Sequence, residues 1–187
     1  MPYFHHASWL PLACDVELHT GPRLPWWYDI GFIGTEGGIP RKFYLQEIYE
    51  RYPRSYLEFA PHTMISEIYR SCKIVFNYSI RNDINMRVFE ALGAGRCLLT
   101  NAIQANGLEE LFRDREHLVV YHSPRELWTL LEYYLTHDEE RERIAQQGRA
   151  LVHEHHTYVH RVQTILQIVG SALPGPHVHM TENICAS

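Results

Sequence analysis

The stretch Lys73–Leu99, KIVFNYSIRNDINMRVFEALGAGRCLL, decides the fold. Lys73 to Tyr78 is a short, largely apolar run without polar alternation, the pattern of a strand covered on both faces. Asn82-Asp83-Ile84-Asn85 is a polar turn offering three side chains able to cap a helix. Met86 to Leu92 then reads as a helix, stopped by Gly93 or Gly95. Arg96 to Thr100 begins a new strand. Strand, capped helix and strand in close succession make a βαβ unit, and such a unit implies a parallel sheet.

The same alternation continues outward in both directions. Upstream, Tyr28 to Gly34 is a strand ending in glycines. Phe43 to Tyr52 is a helix with Leu45, Ile48, Tyr49 and Tyr52 at helical spacing, ended by Pro53. Ser55 to Ala60 is a strand and Thr63 to Ser71 a helix. Downstream, Gly107 to Phe112 is a short helix and His117 to Tyr121 a fifth strand. Ser123-Pro124-Arg125-Glu126 starts a helix strongly: serine caps, proline suits the first turn, and glutamate follows three residues after the cap. Asp138 opens another helix, whose run Asp138–Arg143 reads as a solvent face. The last helix spans about His155 to Val169, with Val162, Ile165, Leu166 and Val169 inward.

The expected fold class is therefore α/β, a Rossmann-like, doubly wound parallel sheet of about five or six strands flanked by helices. It occupies residues 28–170. Residues 1–27, broken by Pro2, Pro11, Pro22 and Pro25, read as a linker or crossover that packs against something. Residues 171–187, with Pro174, Gly175 and Pro176, read as a flexible tail.

At 187 residues, with 45% hydrophobic and 21% charged side chains, the chain suits one packed domain and excludes global disorder. Its net charge of -5 argues against a broad grip on nucleic acid but permits a local anion site. No apolar run approaches the roughly 20 residues that span a bilayer. Met1 to His6 shows no secretory pattern, so a cytoplasmic location is expected. Cys14, Cys72, Cys97 and Cys185 form no CxxC pair and read as reduced, mostly buried thiols. His153, His156 and His160 share a face only if one helix carries all three, and His153-Glu154-His155-His156-Thr157 is not HExxH. Neither a metal site nor a cofactor is expected.

In doubly wound sheets ligands bind at the carboxyl ends of the strands, which directs attention to three loops: Gly34 to Arg41, Ala60 to Thr63, and Asn77 to Met86. The first has glycines for close backbone approach and Arg41 and Lys42 to neutralise phosphate; it is neither a P-loop nor GxGxxG. The third places Asn82, Asp83 and Asn85 before a helix whose free amides suit a diphosphate. Asp83, Arg87, Glu90 and Ala94 recur at helical spacing, so Arg87 could face phosphate and Glu90 ribose hydroxyls. An Arg87–Glu90 pair within the helix is the structural alternative. No local signature singles out a catalytic nucleophile, and the catalytic residues stay unknown.

The Lys73–Leu99 segment resembles the donor-site segment of glycosyltransferases of the GT-B fold, and more closely the spore maturation protein B type among group 1 (family 4-like) glycosyltransferases. NGLEELFRDREHLVVYHSPRELWTLLEYYLTHDEERERIAQQGR, Asn106 to Arg149, is similar to the end of that lobe. WLPLACDVELH, Trp9 to His19, resembles the crossover into it, and DIGFIGTEGG its first strand and loop.

The resemblance implies a single, C-terminal lobe that binds a nucleotide-diphosphate sugar as donor for glycosyl transfer. It implies that Glu90 holds the ribose, that Asn82, Asp83, Asn85, Met86 and Arg87 face the diphosphate or sugar, that Gly34, Arg41 and Lys42 oppose the phosphates, and that His62 lies near the base. Related retaining enzymes show two glutamates eight positions apart. Glu90 matches the second and Asn82 stands at the first, which leaves the stereochemistry open. A separate acceptor-binding lobe or a homodimer is the expected partner. A non-catalytic binding or interaction module derived from a glycosyltransferase is the alternative.

Overall fold

The computed structural model describes residues 7–172. In chain order they form α1 (Val16–His19), β1 (Tyr28–Ile33), α2 (Arg41–Arg51), β2 (Ser55–Glu58), α3 (His62–Arg70), β3 (Cys72–Asn77), α4 (Met86–Gly93), β4 (Cys97–Asn101), α5 (Leu108–Leu111), β5 (Val119–Tyr121), α6 (Pro124–Thr136), α7 (Asp138–His155) and α8 (Tyr158–Ala172). The five strands are all parallel, in the order β2-β1-β3-β4-β5. The chain reverses its direction of travel across the sheet between β1 and β3. In a doubly wound sheet that switch point opens a crevice at the strands' carboxyl ends.

The apolar runs become strands because both of their faces are covered. On β3, Ile74 and Phe76 join a core with Leu45 and Ile48 of α2 and Leu127, Leu130 and Leu131 of α6. Val75 joins the opposite core with Ile68 and Tyr69 of α3 and Val88 and Phe89 of α4. At the start of α6, Ser123 Oγ accepts the Glu126 amide at 3.2 Å. The Glu126 carboxylate accepts the amide of His122, one residue ahead of the cap, at 2.8 Å.

Some sequence expectations are corrected. On α8, Val162, Ile165, Leu166 and Val169 are exposed, Leu166 at 65%; the helix follows the turn at His156–Thr157, and only its start is tied down, Arg161 being buried against the Pro11 and Leu12 carbonyls. On α2, Tyr49 is exposed although Leu45 and Ile48 are buried. Asp138–Arg143 is not wholly a solvent face, since Arg141 is fully buried. Its Nη1 donates to Tyr134 O and Asp138 Oδ1, both at 2.7 Å, and its guanidinium lies 4.9 Å from the centre of the Trp26 ring. The helix breaks at His156, so His153, His156 and His160 share no helical face. Instead His153 Nε2 lies 3.2 Å from Gly93 O and His160 Nδ1 2.7 Å from Thr157 Oγ1.

The leading segment is built into the fold. Ala13, Cys14 and His19 are buried. Cys14 exchanges backbone hydrogen bonds with the α7–α8 corner, its amide donating to His156 O and its carbonyl accepting from Tyr158. Arg161 of α8 donates to the carbonyls of Pro11 and Leu12. Cys14, Cys72 and Cys97 are free and buried, and burial pushes all three thiols up to about 12. Cys185 and the expected tail beyond residue 172 lie outside the described residues.

His156 is 8% exposed, and burial followed by the Arg161 charge lowers its pKa from 6.5 to about 4. A folded-state value below the unfolded one means that the unfolded chain takes up the proton first. The folded state therefore loses stability as pH falls from 6.5 to about 4. The loss approaches roughly 1.4 kcal/mol for each pH unit crossed, hence up to about 3 kcal/mol in all. Urea unfolding at pH 7 and pH 4 should show this loss, and His156→Gln should flatten the profile.

Candidate functional site

Asn77, the last residue of β3, is fully buried and organises the switch point. Its Nδ2 donates to Thr100 Oγ1 at 2.9 Å, and its carbonyl accepts from the Tyr121 hydroxyl at 3.0 Å. Its Oδ1 accepts from Arg87 Nη1 at 2.6 Å and from Asn85 Nδ2 at 3.2 Å. Arg87 Nη2 donates to Ile33 O, also at 2.6 Å. One guanidinium thus braces the carboxyl ends of β1 and β3, lying 4.1 Å from the centre of the Phe32 ring. Arg87 and Glu90 form no ion pair, so the intrahelical alternative does not hold.

Gly34 is where the backbone must come close. Its φ is +147°, and a Cβ there would stand 2.8 Å from Arg87 Nη2. Any side chain would thus push against the brace. Arg41 closes the same loop: Nε donates to Glu36 O and Nη2 to Thr35 O, both at 2.9 Å, while Nη1 reaches Tyr78 O at 3.4 Å. Lys42 is exposed and faces Glu36 at 3.4 Å.

The pKa of Arg41 is lowered, first by desolvation and then by the charge of Arg87, with Asp83 opposing. Both guanidiniums lie against the Phe32 ring, Arg41 at 5.4 Å and Arg87 at 4.1 Å from its centre, and among the described residues neither forms a salt bridge. The nearby Asp83 and Glu90 charges act on them without pairing, and a field of this kind suits an anion.

The turn before α4 is locked from within. Ser79 Oγ donates to Asp83 Oδ1 at 2.6 Å and accepts the Asp83 amide at 2.8 Å. Asn82 has φ 56° and clasps the β4–α5 loop, with Nδ2 donating to Gln104 O at 2.6 Å and Oδ1 accepting from Gln104 N at 3.1 Å. Asn85 occupies the cap position of α4 without capping it, because its side chain is turned to Asn77. The first amides of α4 are left without a side-chain partner, at the positive end of the helix dipole. Met86 Sδ receives the Tyr158 hydroxyl at 3.4 Å.

Glu90 faces a different neighbourhood, where α1, α3 and α4 meet. It is 8% exposed, and burial raises its carboxyl pKa, with Arg87 and then His62 opposing. One of its carboxylate oxygens, a ring nitrogen of His19 and a ring nitrogen of His62 lie within 4.8 Å of one another. His62 is the exposed first residue of α3, at the rim where β2 ends.

The structure thus collects Gly34, Arg41, Asn82, Asp83, Asn85, Met86, Arg87, Glu90 and His62 around the carboxyl ends of β1, β2 and β3, with Lys42 at the outer edge. Sequence reasoning missed Asn77 and His19. Asn77 carried a signal in being a polar residue that ends an apolar strand. His19 closes the four-residue helix after the cap Asp15, a pattern hidden among prolines. Hollows flank the site without including Glu90. One of about 340 Å³ lies between Trp9–Leu12 and Asn82–Ile84, and one of about 630 Å³ lies between Trp9 and the Ala105–Glu110 segment.

The model of a family described as glycosyl transferase-like matches residues 28–167. No curated protein matches the chain. Among solved structures, HepE of Anabaena in complex with UDP-glucose is 14% identical with a TM-score of 0.65, covering 85% of this chain and 56% of its own. Sucrose-phosphate synthase from Thermosynechococcus elongatus is 12% identical with a TM-score of 0.67, covering 87% and 51%. The C-terminal domain of the group 1 glycosyl transferase LpcC from Francisella tularensis is 16% identical with a TM-score of 0.61, covering 76% and 97%. At these identities the likeness establishes the fold, that of one Rossmann-like lobe. The chain spans about half the length of the first two.

Replacing Arg87 by methionine should cost about 2–4 kcal/mol, because Asn77 Oδ1 and Ile33 O lose a charged donor. Lys42→Ala should stay within about 0.5 kcal/mol, its ion pair being exposed. Urea unfolding midpoints of the two variants check the contrast.

Proposed function

The chain belongs to the glycosyl transferase-like family, and on that premise we propose that it is a donor-binding lobe that holds a nucleotide-diphosphate sugar for glycosyl transfer. One observation carries the reading: two guanidiniums without salt-bridged carboxylates beside the uncapped start of α4, at the sheet's switch point. Fixed positive charge and open amides at that place are complementary to a diphosphate.

In this reading the α4 amides at Met86 and Arg87 take phosphate oxygens. Arg41 and Arg87, tied to backbone carbonyls, act through their field, and Lys42 is free to swing onto the outer phosphate. Glu90 accepts hydroxyl protons of the ribose, with His62 at the base side. Asn82 and Asp83 hold the turn, and Gly34 keeps the first loop low enough for the pyrophosphate. During transfer the bond from the sugar's anomeric carbon to the phosphate oxygen breaks and a bond to an acceptor hydroxyl oxygen forms, the hydroxyl proton passing to the departing diphosphate or to a base on the acceptor side. The nucleoside diphosphate leaves with its charge already compensated. The acceptor is held by a separate lobe or partner. We place the chain in the cytoplasm; no helix among the described residues is long and apolar enough to cross a membrane.

A second reading is a non-catalytic interaction module on the same fold. It is favoured by the exposed α8 face with Val159, Val162, Ile165, Leu166 and Val169, next to the Pro11–Leu12 backbone held by Arg161. Such a face suits an acceptor lobe or a second copy of the chain. Glycosyl transfer by the purified chain would dispose of this alternative.

Millimolar UDP, GDP, ADP or TDP should raise the melting temperature of the chain with at least one base, and no shift with any of them would defeat the donor-lobe reading. For the nucleotide that binds, Glu90→Gln should weaken affinity about ten- to a hundredfold. Affinity in the parent chain should fall on acidification, because the ionised carboxylate is the acceptor. The raised pKa of Glu90 starts that fall at a higher pH than an ordinary glutamate would. Calorimetric titration at several pH values reads both effects.

A further inference from the structure

His19 is 2% exposed and its Nε2 has no hydrogen-bond partner among the described residues. Its other ring nitrogen is committed. Nδ1 accepts the Asp15 backbone amide at 3.0 Å, with the Cys14 thiol 3.5 Å away. A backbone amide can only donate, so Nδ1 carries a lone pair and the neutral ring carries its proton on Nε2. Burial lowers the ring's pKa, which keeps it neutral at pH 7.

The position of this ring is fixed by the chain around it. Asp15 caps α1 by accepting the amides of Glu17 and Leu18 at 3.0 and 3.2 Å. Helix α1 then packs on both α3 and α4. That packing brings a ring nitrogen of His19 within 4.8 Å of Glu90 and His62.

Two histidines and a glutamate at this spacing suggest a metal ion at first sight. The tautomer speaks against one. A cation on Nε2 would force the proton onto Nδ1, against the Asp15 amide hydrogen. What the ring offers is a fixed N–H donor, and a carboxylate oxygen of Glu90 stands within 4.8 Å of one of its nitrogens; among the described residues neither group has a hydrogen-bond partner. Phosphate satisfies only the donor and an ammonium only the acceptor. A hydroxyl group satisfies both, since it donates one hydrogen and accepts another.

We propose that His19 is a binding residue of the lobe, donating from Nε2 to an oxygen of the ribose diol whose hydroxyl hydrogen Glu90 accepts. This rests on the donor-lobe reading and extends the site into the segment ahead of the sheet. His19 then senses the presence of a hydroxyl, where the phosphate contacts do not.

The test is calorimetric titration of the full chain with UDP, GDP and ADP and with their 2′-deoxy and 3′-deoxy counterparts. At least one deoxy analogue of the nucleotide that binds should bind about tenfold or more weakly than its parent. His19→Leu should cut that preference severalfold, Glu90 still holding part of it, while leaving affinity for the deoxy analogue within about twofold. His19→Gln, whose amide nitrogen can stand in for Nε2, should retain most of it. A His19→Leu chain that keeps the full preference overturns the proposal. So do Leu and Gln variants that both lose ribo- and deoxynucleotide affinity alike, which would mark His19 as a packing residue. An unsubstituted chain that binds a nucleotide without ribo preference overturns it too, leaving the donor-lobe reading intact. Binding of no nucleotide at all overturns both.

Discussion

The Asn77 carboxamide and the Arg87 guanidinium set the geometry on which the crevice depends. Neighbouring parallel strands whose crossovers leave in opposite directions splay at their carboxyl ends, and something must fix the gap. Here a buried amide at the end of β3 fixes one side and the Ile33 carbonyl at the end of β1 the other, with one side chain of α4 spanning them. Because the spanning residue belongs to the first turn of α4, the same contacts orient that helix and aim its open amides. A network of this kind is worth having only when complete, since a buried amide or carbonyl missing its donor costs more than the bond returns.

The two carboxylates near the turn are set apart by their surroundings. Asp83 is turned onto Ser79 and maintains the loop. Among the described residues Glu90 has no such partner, and it is pressed among α1, α3 and α4, where desolvation disfavours its charge. A largely buried carboxylate without a protein donor is an expensive feature for a lobe that needs only to fold. In the donor-lobe reading proposed above, that cost would be offset by the hydrogens of a ligand.

Much of this was legible in the chain, for reasons visible in single residues. Ile74, Val75 and Phe76 had to be covered on both faces, which forced the parallel sheet. Ser123, Pro124 and Glu126 fixed the start of α6. Sequence spacing also gathered Asp83, Arg87 and Glu90, but not their targets. Arg87 found Ile33, 54 positions away, and no local pattern records a partner at that distance. The α8 face was misjudged because an apolar stripe specifies that something is to be covered without saying whether this chain covers it. Val162 and Leu166 have the spacing of a core face and stand in water. Arg141 erred the other way: its charged neighbours suggested solvent, while Trp26 and the Tyr134 carbonyl receive it inside.

The rung that Cys14 makes with the α7–α8 corner ties the leading segment to the far end of the chain. The family match begins at Tyr28, yet the backbone of Cys14 completes hydrogen bonds of His156 and Tyr158. Arg161 draws its acceptors from Pro11 and Leu12. Trimming the gene to the recognisable repeat of strands and helices would therefore amputate a girder. By these contacts the packed lobe reaches back some fifteen residues ahead of the family match, and swaps of this lobe between proteins would need to carry that preface along.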